Sequence, residues 1–350
     1  MSHHLRTGVR PIVLASIGVS VLLLSGRPGA GQTAESPVPA RPSPELPVKR
    51  IPVAGEAAEA YFSPDSRSVI CNAKLEGDTA FHVTTFGIDG TKVRKINGKG
   101  DDACSFYFPD GKKLIWTSTK DRLDLPHGNY SDPADYPQGA ELYTSDLEGG
   151  NVVRLTNNEQ YDAEVSVSPD GQWIVFARQV EGRLDLYKMR PDGSGLFQIT
   201  KTPDWQEGGA QWMPDGKRIL FRAWKIEDQG KKKPLPMTVF LINADGTGLT
   251  ALTSDPGTNW APFPAPDNRH FVYVKVLPPR NFEIFLRDIP TGEEKRLTYD
   301  DVFDGFPALS PDGRWLAFSS ARAEKPGEKG LHLYLMDVRS LNLGPAAKGK

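Results

Sequence analysis

The sequence predicts an all-β protein, a six-bladed β-propeller of four-stranded antiparallel blades whose ring is closed by an N-terminal strand. Three observations predict it. Pro-Asp recurs at Pro64-Asp65, Pro109-Asp110, Pro169-Asp170, Pro214-Asp215, Pro266-Asp267 and Pro311-Asp312, at spacings of 45, 60, 45, 52 and 45 residues. Short runs rich in β-branched and aromatic residues flank these pairs. Finally, 30 Pro and 34 Gly among 350 residues scatter helix breakers along the chain, which excludes a helical bundle or a long coiled coil.

Each Pro-Asp reads as a turn between the first two strands of a repeat. Pro presets the second position of a type I turn, Asp suits the third, and the following Gly or Asn accepts a left-handed backbone. Before the turns come Ala60-Tyr61-Phe62, Phe106-Tyr107-Phe108, Val165-Ser166-Val167, Gln211-Trp212 and Ala308-Leu309. After them come second strands at 69–72, 114–117, 173–177, 219–222, 271–274 and 315–319. Third strands follow at 81–86, 141–145, 184–189, 238–243, 282–287 and 332–337. Asp89-Gly90, Asp192-Gly193 and Asp245-Gly246 then mark a second hairpin. Fourth strands close five repeats at 93–96, 152–155, 197–200, 249–252 and 295–297, and four strands per repeat make a propeller blade. The sixth repeat lacks a fourth strand, while Val48-Lys49-Arg50-Ile51-Pro52 precedes the first. That orphan strand is expected to complete the last blade and latch the ring.

The Pro-Asp-Gly hairpins, the Leu-Ile-Trp and Trp-Ile-Val-Phe strands after them, and the Arg154-Leu155-Thr156 and Arg296-Leu297-Thr298 fourth strands resemble the WD40-like (PD40) repeats of the TolB propeller family. The resemblance covers nearly all of residues 47–339. It implies a periplasmic protein-binding propeller, with a partner of the kind the family's namesake has in a peptidoglycan-associated lipoprotein of the Tol-Pal envelope system.

The N-terminus agrees with export. Arg6 and Arg10 precede an apolar run at 11–24 and then small, polar residues, which reads as a signal peptide over 1–31. That run is too short to cross a membrane comfortably, so no transmembrane anchor is expected after cleavage. Residues 32–46 read as a Pro-rich leader, 47–340 as the propeller and 341–350 as a tail. The net charge of −2 offers no basic excess for nucleic acid. The two cysteines, Cys71 and Cys104, both lie in strand patterns and read as buried thiols, with a disulfide as the alternative. A monomer is expected.

Strand parity separates two faces. The first-to-second and third-to-fourth turns share one face and are uniformly tight. The second-to-third loops share the other face with the blade crossovers and hold the insertions, at 120–139, 225–236, 277–281 and 323–330. Length variation concentrated on one side of a repeat array marks its binding face. Eight positions before each turn Asp stand Asp102, Asp162, Glu207, Asn259 and Asp304, with Glu56 beside Ala57 in the first repeat. These residues are expected at the channel mouth. There they form a polar site that a divalent cation such as calcium would suit, or they bond backbone N–H groups of the neighbouring blade. The long insertion adds Asp124, His127, Tyr130, Asp132 and Tyr136, and nearby loops add Trp205 and Trp260, as contacts for a ligand or as packing.

Catalytic signatures are scarce. There is no Gly-x-Ser-x-Gly elbow, and Gly193-Ser194-Gly195 reads as a hairpin. His82, His127, His270 and His332 fall in four different repeats with no common phase, unlike a zinc site. The leading expectation is a binding module for an envelope protein or cell-wall polymer, without a required cofactor and with no catalytic residue assigned. The rival is a propeller enzyme, a hydrolase or lyase acting on an oligosaccharide or peptide at the channel mouth.

Overall fold

The structure is a computed structural model that describes residues 46–158 and 160–345. The expected signal peptide, almost all of the leader and residues 346–350 lie outside the described residues. Six four-stranded antiparallel sheets follow one another around a ring, each ordered from its innermost strand outwards. The innermost strands are Glu56–Phe62, Asp102–Tyr107, Asp162–Val167, Trp205–Trp212, Asn259–Pro264 and Asp304–Leu309. The outermost strands are two or three residues long, which leaves little edge for another chain to pair with.

The latch forms as expected. Val48–Arg50 pairs with His332–Asp337 in the register Val48↔Met336, Lys49↔Leu335 and Arg50↔Tyr334. Two bonds extend it, from Asp337 N–H to the Pro47 carbonyl and from Ile51 N–H to the Leu333 carbonyl, both at 2.8 Å. Ile51 is buried between the last blade and the first. Pro47 and Asp337 therefore lie side by side on the tight-turn face. Leu343 packs back into the core of blades 5 and 6, so the segment after residue 340 docks before the described residues end.

The core lies between blades rather than at one centre. One cluster joins Val175 and Ala177 of blade 3 to Ile219, Phe221 and Trp224 of blade 4. Fully buried Trp116 and Tyr143, stacked at 5.0 Å, fill the equivalent layer of blade 2. Cys71 and Cys104 are free, buried thiols in neighbouring blades and form no disulfide.

Every innermost strand carries a β-bulge at one repeated position. The left-handed residue there is Glu59, Cys104, Glu164, Gly209, Ala261 or Phe306, with φ between 40° and 62°. Left-handed backbone is costly for side chains other than Gly, yet five of the six are not Gly. The bulge adds a residue to the inner strand and re-aims its side chains toward the channel.

Candidate functional site

The residues eight positions before the turn Asp begin the innermost strands, but they do not converge on one another. Asp102, Asp162, Glu207, Asn259 and Asp304 are each 3% exposed or less. Asp102 accepts Val83 N–H of the preceding blade (2.9 Å) and Asn97 Nδ2 (2.7 Å). Asp162 takes Nε and Nη2 of Arg178 at 2.8 and 2.6 Å. Glu207 accepts the hydroxyls of Thr202 and Thr200. Asn259 donates to the Met237 carbonyl of the preceding blade, and Asp304 takes Arg322 Nη2 at 2.6 Å. Glu56 is half-buried and lines a cleft of 390 Å³ with Arg50 and His332 at the ring closure. Among the described residues no group of three or more His, Cys, Asp or Glu side chains is placed to hold a metal ion.

The repeat explains these sideways bonds. In blades 2 to 5 a fourth-strand threonine hydroxyl (Thr156, Thr200, Thr253, Thr298) accepts the third-strand N–H of Leu142, Leu186, Val239 and Ile284 at 2.9–3.0 Å. Asn97 stands at that position in blade 1, and Asp102 bonds the corresponding N–H instead. Beside two of these N–H groups lie fully buried Glu141 and Glu283, which take Arg154 (3.1 Å) and Arg296 (2.8 Å). His82 and His332 occupy the same third-strand position, because all four register with equivalent second-strand residues, Ala73, Ser118, Lys275 and Ser320. Two of the four histidines thus share a phase that sequence counting missed, since loops of unequal length separate them from their turns.

The loop-face residues divide into packed and exposed groups. Tyr136 is buried and stacks on Tyr161 at 4.2 Å, while Tyr130 is half-buried and donates to the Asp101 carbonyl. Trp205 lies edge-on to Phe240, and Trp260 edge-on to Phe306 at 4.6 Å, each half-buried. Asp124, His127 and Asp132 are exposed; Asp124 pairs with Arg122, His127 lies 3.4 Å from Asp101, and Asp132 accepts Ala134 N–H. The insertion crosses blade 3, and the Pro133 carbonyl accepts Gln229 Nε2 of the blade 4 insertion (2.9 Å).

The side chains that face the channel come two residues later, at the bulges. Going round the ring they are Glu59, Cys104, Glu164, Gly209, Ala261 and Phe306. At the Gly position Arg222, from the second strand of blade 4, reaches through the inner strand to Glu164 Oε1 at 2.6 Å. The glycines open that window. A Cβ on Gly209 would lie 2.1 Å from Arg222 Nη1, and one on Gly208 would lie 2.0 Å from Glu164 Oε2. One turn deeper Tyr61 meets Phe106 at 5.3 Å and Phe263 at 5.8 Å, so three rings narrow the channel. The result is a cup, polar on blades 1 to 4 and apolar on blades 5 and 6. Counting six positions back from each turn Asp, rather than eight, would have found its rim.

Glu59 accepts Tyr61 Oη–H (3.2 Å) and Asn72 Nδ2 (3.0 Å), and burial pushes its carboxyl up to about 7. Burial likewise pushes Glu207 up to about 8. The folded state therefore keeps protons that the unfolded chain releases near pH 4.5, and stability falls as pH rises through these raised values. Between pH 6.5 and 8.5 the loss should be on the order of 3 kcal/mol. Denaturant melts at the two pH values check this, and Glu207→Gln should flatten the difference. Equal stability at both would contradict it.

Closed ring, phased cup and one elaborated face define a six-bladed propeller whose long insertions lie on the loop side. No family model matches the chain. It is 26% identical over 177 residues to an uncharacterized protein of Agrobacterium fabrum, covering 49% of this chain and 54% of that protein. It is 25% identical over 242 residues to the uncharacterized peptidase YuxL of Bacillus subtilis, covering 66% and 31%. To the Tol-Pal system protein TolB of Anaeromyxobacter dehalogenans it is 29% identical over 122 residues, covering 35% and 26%. The chain thus spans about half of the first relative and less than a third of the other two. Among solved structures, a TolB-type protein of Agrobacterium tumefaciens superposes with a TM-score of 0.58 at 18% identity, covering 81% of this chain and 90% of that one. An oligogalacturonate lyase of Vibrio parahaemolyticus gives 0.52 at 13%, covering 85% and 94%. In fold and repeat the chain is a TolB-like six-bladed β-propeller.

Proposed function

We propose that this propeller is an exported, periplasmic binding module that engages an envelope protein or a cell-wall polymer through its loop face. The observation that carries the reading is the asymmetry of the two faces. One has only tight turns. The other bears a blade 2 insertion that meets the blade 4 insertion where Gln229 donates to the Pro133 carbonyl, over a cup with half-buried aromatic rings at its rim. The partial likeness to TolB supports an envelope partner. Pull-down from envelope extracts with the immobilised propeller tests it. Trp260→Ala should weaken capture by about 2 kcal/mol, roughly thirtyfold, as truncation of a central anchor does. Asp192→Ala and Asp245→Ala, on the tight-turn face, should leave capture unchanged. A partner whose footprint lies on those turns would refute the proposal.

The enzymatic reading draws its support from the fold shared with oligogalacturonate lyase, including a structure with bound manganese. Turnover of an oligosaccharide or peptide by the purified propeller, with no partner captured, would put that reading first.

A further inference from the structure

Among the described residues the cup contains a carboxylate, Glu59, that no cation pairs with, although the Arg222 guanidinium lies within electrostatic reach. Arg222 is engaged by Glu164 at 2.6 Å, and Glu164 also accepts Gly209 N–H. Glu59, at the same level in blade 1, is bonded only by the neutral groups of Tyr61, Asn72 and the Cys104 thiol. No Lys, Arg or His forms an ion pair with it among the described residues. Asn72 is 4% exposed, with one end of its amide held by Glu59 and its Oδ1 unpartnered. Opposite this polar half stand Ala261 and Phe306, with Trp260 edge-on to Phe306. A half-buried carboxylate with no ion-pair partner, in a cup whose apolar side carries aromatic rings, is what an ammonium ion requires, since a π-face attracts a cation most where water is excluded. A carboxylate or phosphate would instead meet Glu59 and Glu164 on entry.

We propose that the channel cup binds an organic ammonium group, with Glu59 as its counter-ion, Asn72 as the residue that holds the Glu59 carboxylate in place and the Phe306–Trp260 side as its aromatic wall. The proposal deepens the binding-module reading and rests on it for the face from which the ligand enters. The same chemistry is offered by a peptide amino terminus and by a lysine side chain.

Calorimetric titration of the whole propeller with three short peptides separates these sources. Triglycine amide has a free amino terminus, acetyl-Gly-Lys-Gly amide has only the side-chain amine, and acetyl-triglycine amide has neither. At least one amine-bearing peptide should bind at pH 8, and the third should not. Glu59→Gln should cost tenfold or more in affinity while remaining folded, because it removes a buried charge; Asn72→Ala should cost severalfold. Affinity should also rise from pH 6 to pH 8 as Glu59 ionises, with Tyr61, Cys104, Glu164 and Arg222 as the titratable or charged groups around it. Equal binding of all three peptides, no binding of any, or an unchanged affinity in both variants would overturn the proposal. A partner captured equally by wild type and Glu59→Gln would overturn the cup alone. Amine binding without any captured partner would overturn only the envelope-binding reading.

Discussion

Deleting residues 46–53 should destabilise the propeller by at least about 5 kcal/mol, through lost backbone pairing and the burial of Ile51. The strand Val48–Arg50 is short, but it is all that joins the two ends of the ring through a sheet. Its removal uncovers the outer edge of His332–Asp337 and the apolar seam where Ile51 sits against Leu333 and Leu335. It also strips Glu328 of the Arg50 guanidinium that holds its carboxyl at about 2. Thermal unfolding with and without the segment measures the effect. Ile51→Ala, which keeps the strand pairing, should recover part of the difference. An unchanged melting temperature after deletion would mean that the ring holds without its latch.

The second large effect is expected at the glycine window. Glu164 and Arg222 are each 8% exposed and joined at 2.6 Å. Arg222→Ala leaves a buried carboxylate without its cation, which costs about 3–5 kcal/mol in comparable settings. Converting both partners to neutral residues, Glu164→Gln with Arg222→Met, removes the uncompensated charge and should recover most of that loss. Denaturant titrations of the wild type, the single variant and the pair decide the matter. A pair as unstable as the single variant would show that the guanidinium matters for its packing rather than its charge.

The architecture was legible because turn chemistry repeats. Six Pro-Asp turns fixed blade number and phase, and the orphan strand at 48–52 fixed the closure. The inner strand of blade 5 was hidden. Asn259–Pro264 contains two prolines and reads as loop, and it is tolerated because an innermost strand has one side without a sheet neighbour. The cup was hidden for a different reason. Strand alternation puts every second side chain on one face, but a bulge in each inner strand inserts a residue and shifts that parity. Asp102 and Asp162 looked like mouth residues by charge and phase, whereas Glu59 and Cys104 had no matching residue types across the repeats. Nothing in the spacing of Gly208 and Gly209 announced that an arginine fourteen residues on would emerge between them.

Pro47, beside Asp337, and Gly344, against Gly313, both lie on the side of the disc opposite the insertions. A fluorescent protein, biotin tag or surface linker joined directly to Leu46 or Pro345 would hang from the back of the disc. Immobilised at either of these positions, every copy would present its elaborated side to solution in one orientation. Sensor chips and pull-down resins would therefore report the same surface, and moving the tag between the two positions should leave the measured association rate unchanged.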